Sequence, residues 1–192
     1  MHAGPRGDFG DGAVGVTATP FHKPLLPRAE RTETGGWRIT LPLEIHSGRT
    51  RYDVCPSKNR GGRHEHRARY TARRNAITST LVGLLVESRP PRLWHRTKTT
   101  RIGNIVAPVE DDCVFLHAQM TLTLYHHTKA ILRSDPQNWI SGCEALLDSL
   151  VNAGWLYDDD RQHLSLAEPV LCVDKDNPRI TVDLETWDGV KE

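Results

Sequence analysis

No stretch of this 192-residue chain reaches the ~18 consecutive apolar residues of a membrane-crossing helix, so no membrane partner is expected. Residues Met1 to Gly15 lack the apolar centre of a secretory signal, and none is expected there. The four cysteines (Cys55, Cys113, Cys143 and Cys172) are scattered and include no C-x-x-C pair. That spacing gives no support to zinc-finger or thioredoxin-type chemistry, and reduced thiols in a cytoplasmic protein are the expectation. The Gly-rich N-terminus contains no G-x-x-x-x-G-K-[ST] pattern, so nucleotide hydrolysis on a phosphate cradle has no basis. No internal repeat is evident.

The chain also lacks an overall surplus of charge, with 25 Lys+Arg against 24 Asp+Glu, but that balance hides a division. Residues 1–104 hold 19 Lys+Arg and 8 Asp+Glu, whereas residues 105–192 hold 6 and 16. Between Lys58 and Arg101, 12 cations face only Glu65 and Glu87. Such asymmetry fits a nucleic-acid surface. It also fits a solvated helix whose cations pair with the acidic half of the same fold.

Residues 1–36 contain 11 Gly+Pro and little apolar periodicity, which reads as a tail. A first strand is expected over Trp37–Leu43, ending near Pro42. A basic helix is expected over about 64–87, with Ala76, Ile77, Leu81, Leu84 and Leu85 inward and a bend near Thr78–Thr80. Residues 88–112 read as a basic loop with a short strand between Ile102 and Val109. Alternation of Leu116, Ala118, Met120, Leu122 and Leu124 with polar residues predicts a strand over 113–125. Asp135 before Pro136, and Gly154 eighteen residues on, predict a single helix over 136–153, about 27 Å long. Strands are expected within 162–173 and at Ile180–Leu184. The order describes an α+β fold with a mixed β-sheet and two main helices.

Two acidic points bracket the second helix: Asp135 before it and Asp158-Asp159-Asp160 after it. Carboxylates suit a hard divalent cation. A helix N-cap and a solvated turn account for the same residues without a metal.

Residues 133–162 carry D-P-Q-N at 135–138, E-A-L-L-D-S-L at 144–150 and N-A-G-W-L-Y-D-D-D at 152–160. Upstream stand Ile39-Thr40-Leu41-Pro42 and Asn59-Arg60 with His64. In spacing and order these resemble the RusA family of Holliday junction resolvases over about residues 37–185. That family shows D-x-D-N, a helix with a lysine and an L-x-D-x-L segment, and A-G-(x)₃-D-D. The resemblance implies a homodimeric α+β endonuclease that cuts four-way DNA junctions with Mg²⁺ or Mn²⁺ in recombination and repair. It further implies a cytoplasmic setting, on DNA of the nucleoid or of a phage or prophage. Residues 37–186 would form the nuclease domain, with 1–36 and 187–192 as tails.

Residue by residue, Asp135 and Asp159 match metal-site and catalytic aspartates, and Asp158 matches the first of the paired aspartates. Asn138 and Asp148 match the family asparagine and mid-helix aspartate, which support the site. The chain departs from the pattern at Gln137, where the family has a second acid, and at Glu144, where it has the lysine. Gln137 can offer only a neutral carbonyl oxygen to a metal; Glu144 reverses a charge and is a candidate to replace the lost carboxylate. Arg60, Arg63, Arg67, Arg73 and Arg74, with Lys129 and Arg133, are the candidate phosphate contacts. An active nuclease with a rebuilt site, a weakened nuclease and a non-catalytic branched-DNA-binding protein on the same fold all remain open. Trp139, Trp155 and Trp187, and the histidines His126, His127 and His163, read more simply as packing or solvated residues than as site groups.

Overall fold

The computed structural model describes residues 25–56, 67–102 and 105–187. Among the described residues, ten strands and three helices follow one another. The strands are β1 (Arg28–Arg31), β2 (Trp37–Pro42), β3 (Glu44–Ser47), β4 (Thr50–Asp53), β5 (Trp94–Ile102), β6 (Ile105–Cys113), β7 (Ala118–His126), β8 (Leu164–Leu166), β9 (Val170–Val173) and β10 (Arg179–Thr186). The helices are α1 (Arg67–Ser88), α2 (Pro136–Ile140) and α3 (Glu144–Ala153), with a 3₁₀ turn at Lys129–Arg133. The main sheet runs β1-β2-β10-β7-β8, and β9 also pairs with β7. Its β1, β2, β10 and β7 are antiparallel neighbours, while β8 and β9 lie parallel to β7, so the sheet is mixed. This is the α+β class read from the sequence.

Period-two alternation explains the central strands. Met120, Leu122 and Leu124 of β7 are buried, as are Ile180, Val182 and Leu184 of β10. On the other side of the sheet Arg38 and Asp183 form an ion pair at 2.6 Å. Helices α1 and α3 pack on each other, and the buried Ile77, Leu81, Leu146 and Leu150 join the sheet residues in one core. At its centre the fully buried Trp155 meets Trp37 edge-on at 5.7 Å and donates its indole N–H to the Leu81 carbonyl at 3.1 Å. No helix among the described residues is long and apolar enough to cross a membrane.

Several elements differ from the sequence reading, each for a local reason. Residues 28–31 are not tail: they pair with β2, and Thr34 donates to Glu185 at 2.7 Å. Residues 1–24 and 188–192 of the two expected tails lie outside the described residues. Helix α1 continues unbroken through Thr78–Thr80, where the Thr80 hydroxyl donates back to the Ala76 carbonyl at 3.1 Å. Residues 94–102 and 105–113 pair antiparallel as the two nine-residue arms of a hairpin, rather than lying in a loop with one short strand. The strand expected from 113 begins at Ala118, because Val114 and Phe115 instead bond the Gly154 and Trp155 carbonyls.

The expected single helix over 136–153 is two helices. The break falls at Ser141–Cys143, where the chain meets the end of the β3–β4 hairpin. A Cβ on Gly142 would lie 1.7 Å from the Pro56 carbonyl oxygen, so only glycine permits that approach. Next to it, Cys143 is joined to Cys55 by a disulfide. The expectation of four reduced cysteines therefore fails for this pair; Cys113 and Cys172 are not disulfide-bonded. Two cysteines 88 positions apart carry no spacing signal, and only the fold brings them together. At the far end Gly154 closes α3 as expected, in the left-handed conformation (φ 87°), with its N–H on the Leu150 and Val151 carbonyls.

Candidate functional site

The first half of α1, α3 and the loop after it bring the acidic residues beside the basic helix. Asp148 lies one helical turn beyond Glu144 on α3. From α1 the Tyr70 hydroxyl donates to Asp148 Oδ2 at 2.9 Å, and the Arg74 guanidinium stands 3.5 Å from the same oxygen. Burial, the bond to Asp148 and the negative charges of Asp148 and Glu144 together push the Tyr70 phenol up to about 12. Glu144, exposed in the first turn of α3, sits where a helix dipole favours an acid.

The loop after α3 is pinned from outside. The Arg96 side chain of β5, 2% exposed, donates to the carbonyls of Val151, Leu156 and Tyr157 at 2.5–2.6 Å and to Asp111 at 3.1 Å. Arg96 thus ties the hairpin to the C-terminal end of α3 and fixes the backbone that leads into the aspartates. Beyond it the Asp159 N–H donates to Asp158 Oδ1 at 2.8 Å. Burial raises the Asp159 carboxyl above the ordinary carboxylate range, helped by its hydrogen bond with Asp158 and by the charges of Asp158 and Asp148. Asp159 therefore feels the negative charge of both Asp158 and Asp148. Asp160 is engaged differently. Burial pushes its carboxyl up, but bonds from His163 and from the Gln162 and His163 amides outweigh this and hold it below the usual range.

Asp135 is exposed just before α2, and its carbonyl accepts the Asn138 N–H at 3.0 Å. Gln137 falls in the first turn of α2. Among the described residues, no group of three or more His, Cys, Asp or Glu is arranged to hold a metal ion. The fold does bring Asp148 and Glu144 to Tyr70 and Arg74, and puts Asp148 within electrostatic reach of Asp159.

The candidate phosphate contacts divide. Arg60 and Arg63 lie outside the described residues. Arg67, Lys129 and Arg133 are exposed, at the start of α1 and at the two ends of the 3₁₀ turn. Arg73 is buried, with its guanidinium 5.5 Å from the centre of the Tyr70 ring, which removes it from an open DNA surface. Arg74 is half-buried against Asp148, the pairing of basic and acidic halves that the charge division left open.

Sequence reasoning missed Tyr70 and Arg96, for which no local pattern exists. It also passed over the stack of Tyr157, His163 and His117; only the i,i+3 spacing of Asp160 and His163 hinted at it. No protein-family model matches this chain, and no curated protein matches it.

Proposed function

We propose that this chain is a metal-dependent endodeoxyribonuclease acting on four-way DNA junctions, built like the RusA resolvases and working as a homodimer. The observation that carries the reading is the junction of α1 with α3. The basic helix lies directly against the helix and loop that hold Asp148, Asp158 and Asp159, and Asp159 feels the charge of the other two. A carboxylate whose proton affinity is raised by neighbouring carboxylates is stabilised by a divalent cation, and Mg²⁺ commonly uses one or two carboxylates and completes its shell with water. Asp158 and Asp159 would hold Mg²⁺ or Mn²⁺, with Asp135 and Gln137 as the further ligands implied by the family spacing. The ion would supply Lewis-acid activation of water and offset charge on the phosphate. Arg67, Lys129 and Arg133 would neutralise phosphates of the duplex arms, and Asn138 would support the turn into α2.

A non-catalytic junction binder is the second reading, favoured by Glu144, which puts an acid where the resemblance expects a phosphate-facing lysine. A synthetic four-way junction and a linear duplex, each incubated with Mg²⁺ or Mn²⁺, separate the two. Slow cleavage confined to the junction and abolished by Asp159→Asn or Asp135→Asn is the expected result. Salt-sensitive junction binding without product, unchanged after Gln137→Asp with Glu144→Lys, would establish the binder instead.

A further inference from the structure

The two residues that flank the Asp158–Asp159 pair both hold the ring of His163. Tyr157, just before the pair, stacks on it with centroids 4.6 Å apart, and Asp160, just after, places Oδ1 2.8 Å from Nδ1. The ring also lies nearly parallel to that of His117, with centroids 5.4 Å apart. His117 in turn sets its own Nδ1 2.9 Å from the Gln162 carbonyl. The same Asp160 oxygen accepts the N–H groups of Gln162 and His163 at 2.9 and 3.0 Å, so carboxylate and imidazole are fixed in one turn.

A carboxylate or carbonyl oxygen can only accept a hydrogen bond, so the proton of each neutral ring sits on Nδ1. Nε2 of His163 then keeps its lone pair. The His163 side chain keeps 18% of its surface exposed. Tyr157, His117 and Asp160 are the titratable groups packed against it.

We propose that His163 is the proton acceptor of the nuclease site, a role that rests on the function proposed above. As the oxygen of the attacking water bonds to phosphorus, its proton passes to Nε2. The opposite P–O bond breaks, its electron pair stays on the leaving oxygen, and that oxygen takes a proton from solvent; nothing is oxidised or reduced. Asp160 stabilises the resulting imidazolium through Nδ1–H and sets the ring's direction, the arrangement a general base requires.

Single-turnover cleavage of a four-way junction in Mn²⁺, followed from pH 5 to 9, tests the role. Wild type is expected to gain rate as pH rises through the histidine range. His163→Gln is expected to lose about 100-fold or more and to lose that limb, while Mn²⁺ and junction affinities stay unchanged. Imidazole should restore part of the rate of His163→Ala, and Asp160→Asn should move the limb to lower pH. Cleavage by His163→Gln at the wild-type rate with the limb intact overturns the role alone, whereas a silent wild type overturns the nuclease reading and the role with it. Nitrogen NMR of the metal-free protein gives a readout apart from activity. A bare Nε2 on His163 at pH 7.5 is expected, and a proton on Nε2 overturns the assignment.

Discussion

Tyr70 shows how much one side chain in this fold depends on neighbours that are distant in sequence. Its hydroxyl donates to Asp148 across 78 positions, and its phenol is pushed up to about 12 by burial, by that bond and by the nearby acids. An unfolded tyrosine ionises near 10, so the fold favours the neutral phenol. The stability from this preference is complete below about pH 10 and is lost as pH rises through 10 toward 12. Among the four tyrosines, Tyr70 should therefore ionise last in an absorbance titration at 295 nm, and Tyr70→Phe should remove that last phase. The same variant should cost about 1 kcal/mol in a urea melt at pH 7, because Asp148 loses a donor. If the final phase survives in Tyr70→Phe, the Tyr70–Asp148 bond does not exist in solution. No periodicity in the sequence announces this pair, since a lone tyrosine on a basic helix has many possible partners.

At the scale of elements, two features hold segments that composition alone leaves loose. The Cys55–Cys143 disulfide closes an 88-residue separation and ties the β3–β4 hairpin to the start of α3. On chain-entropy grounds a loop that long is worth about 3–5 kcal/mol. Adding a thiol reductant, or replacing both cysteines by alanine, should lower the melting temperature by roughly 10 °C. Equal melting with and without reductant would mean that the two thiols are unpaired in solution. The second feature is β1. A chain starting at residue 37 loses four residue pairs along β2 and the packing of Ala29 on the core, and it exposes a new sheet edge. It should be less stable by about 2 kcal/mol than one starting at residue 25, read as a lower urea midpoint at unchanged slope. Matching midpoints would return residues 25–36 to the status of a tail.

For the whole molecule the decisive quantity is how the two charged halves meet. Arg74 pairs with Asp148, Arg92 and Arg96 both pair with Asp111, and Arg38 pairs with Asp183, so much of the basic half is spent inside the protein. What remains for a polyanion is narrower than the run from Lys58 to Arg101 suggests. Replacing Arg67, Lys129 and Arg133 by glutamine should weaken junction binding and flatten the plot of log affinity against log salt by up to ~0.9 per lost phosphate contact. Replacing the buried Arg73 should instead lower thermal stability and leave that slope unchanged. A slope that falls with Arg73→Gln and not with the exposed triple variant would reverse this assignment.

The sequence by itself determined the elements with strong local signals: the alternation of β7 and β10, the apolar stripe of α1, and Gly154 as the stop of α3. These depend on interactions a few residues long, so their period is written in the chain. It also determined the charge division and the aspartate spacing on which the resemblance rests. The break at Gly142, the disulfide, the strand at Arg28–Arg31 and the anchoring of the hairpin by Arg96 were decided only by the tertiary structure. Each depends on a partner 6 to 88 positions away, and nothing local specifies which partner the fold will supply. The candidate site divides along the same line. Its carboxylates were legible as types and spacings, whereas Tyr70, Arg74 and the His163 stack became part of it only when helix packing and one tight turn brought them to those carboxylates.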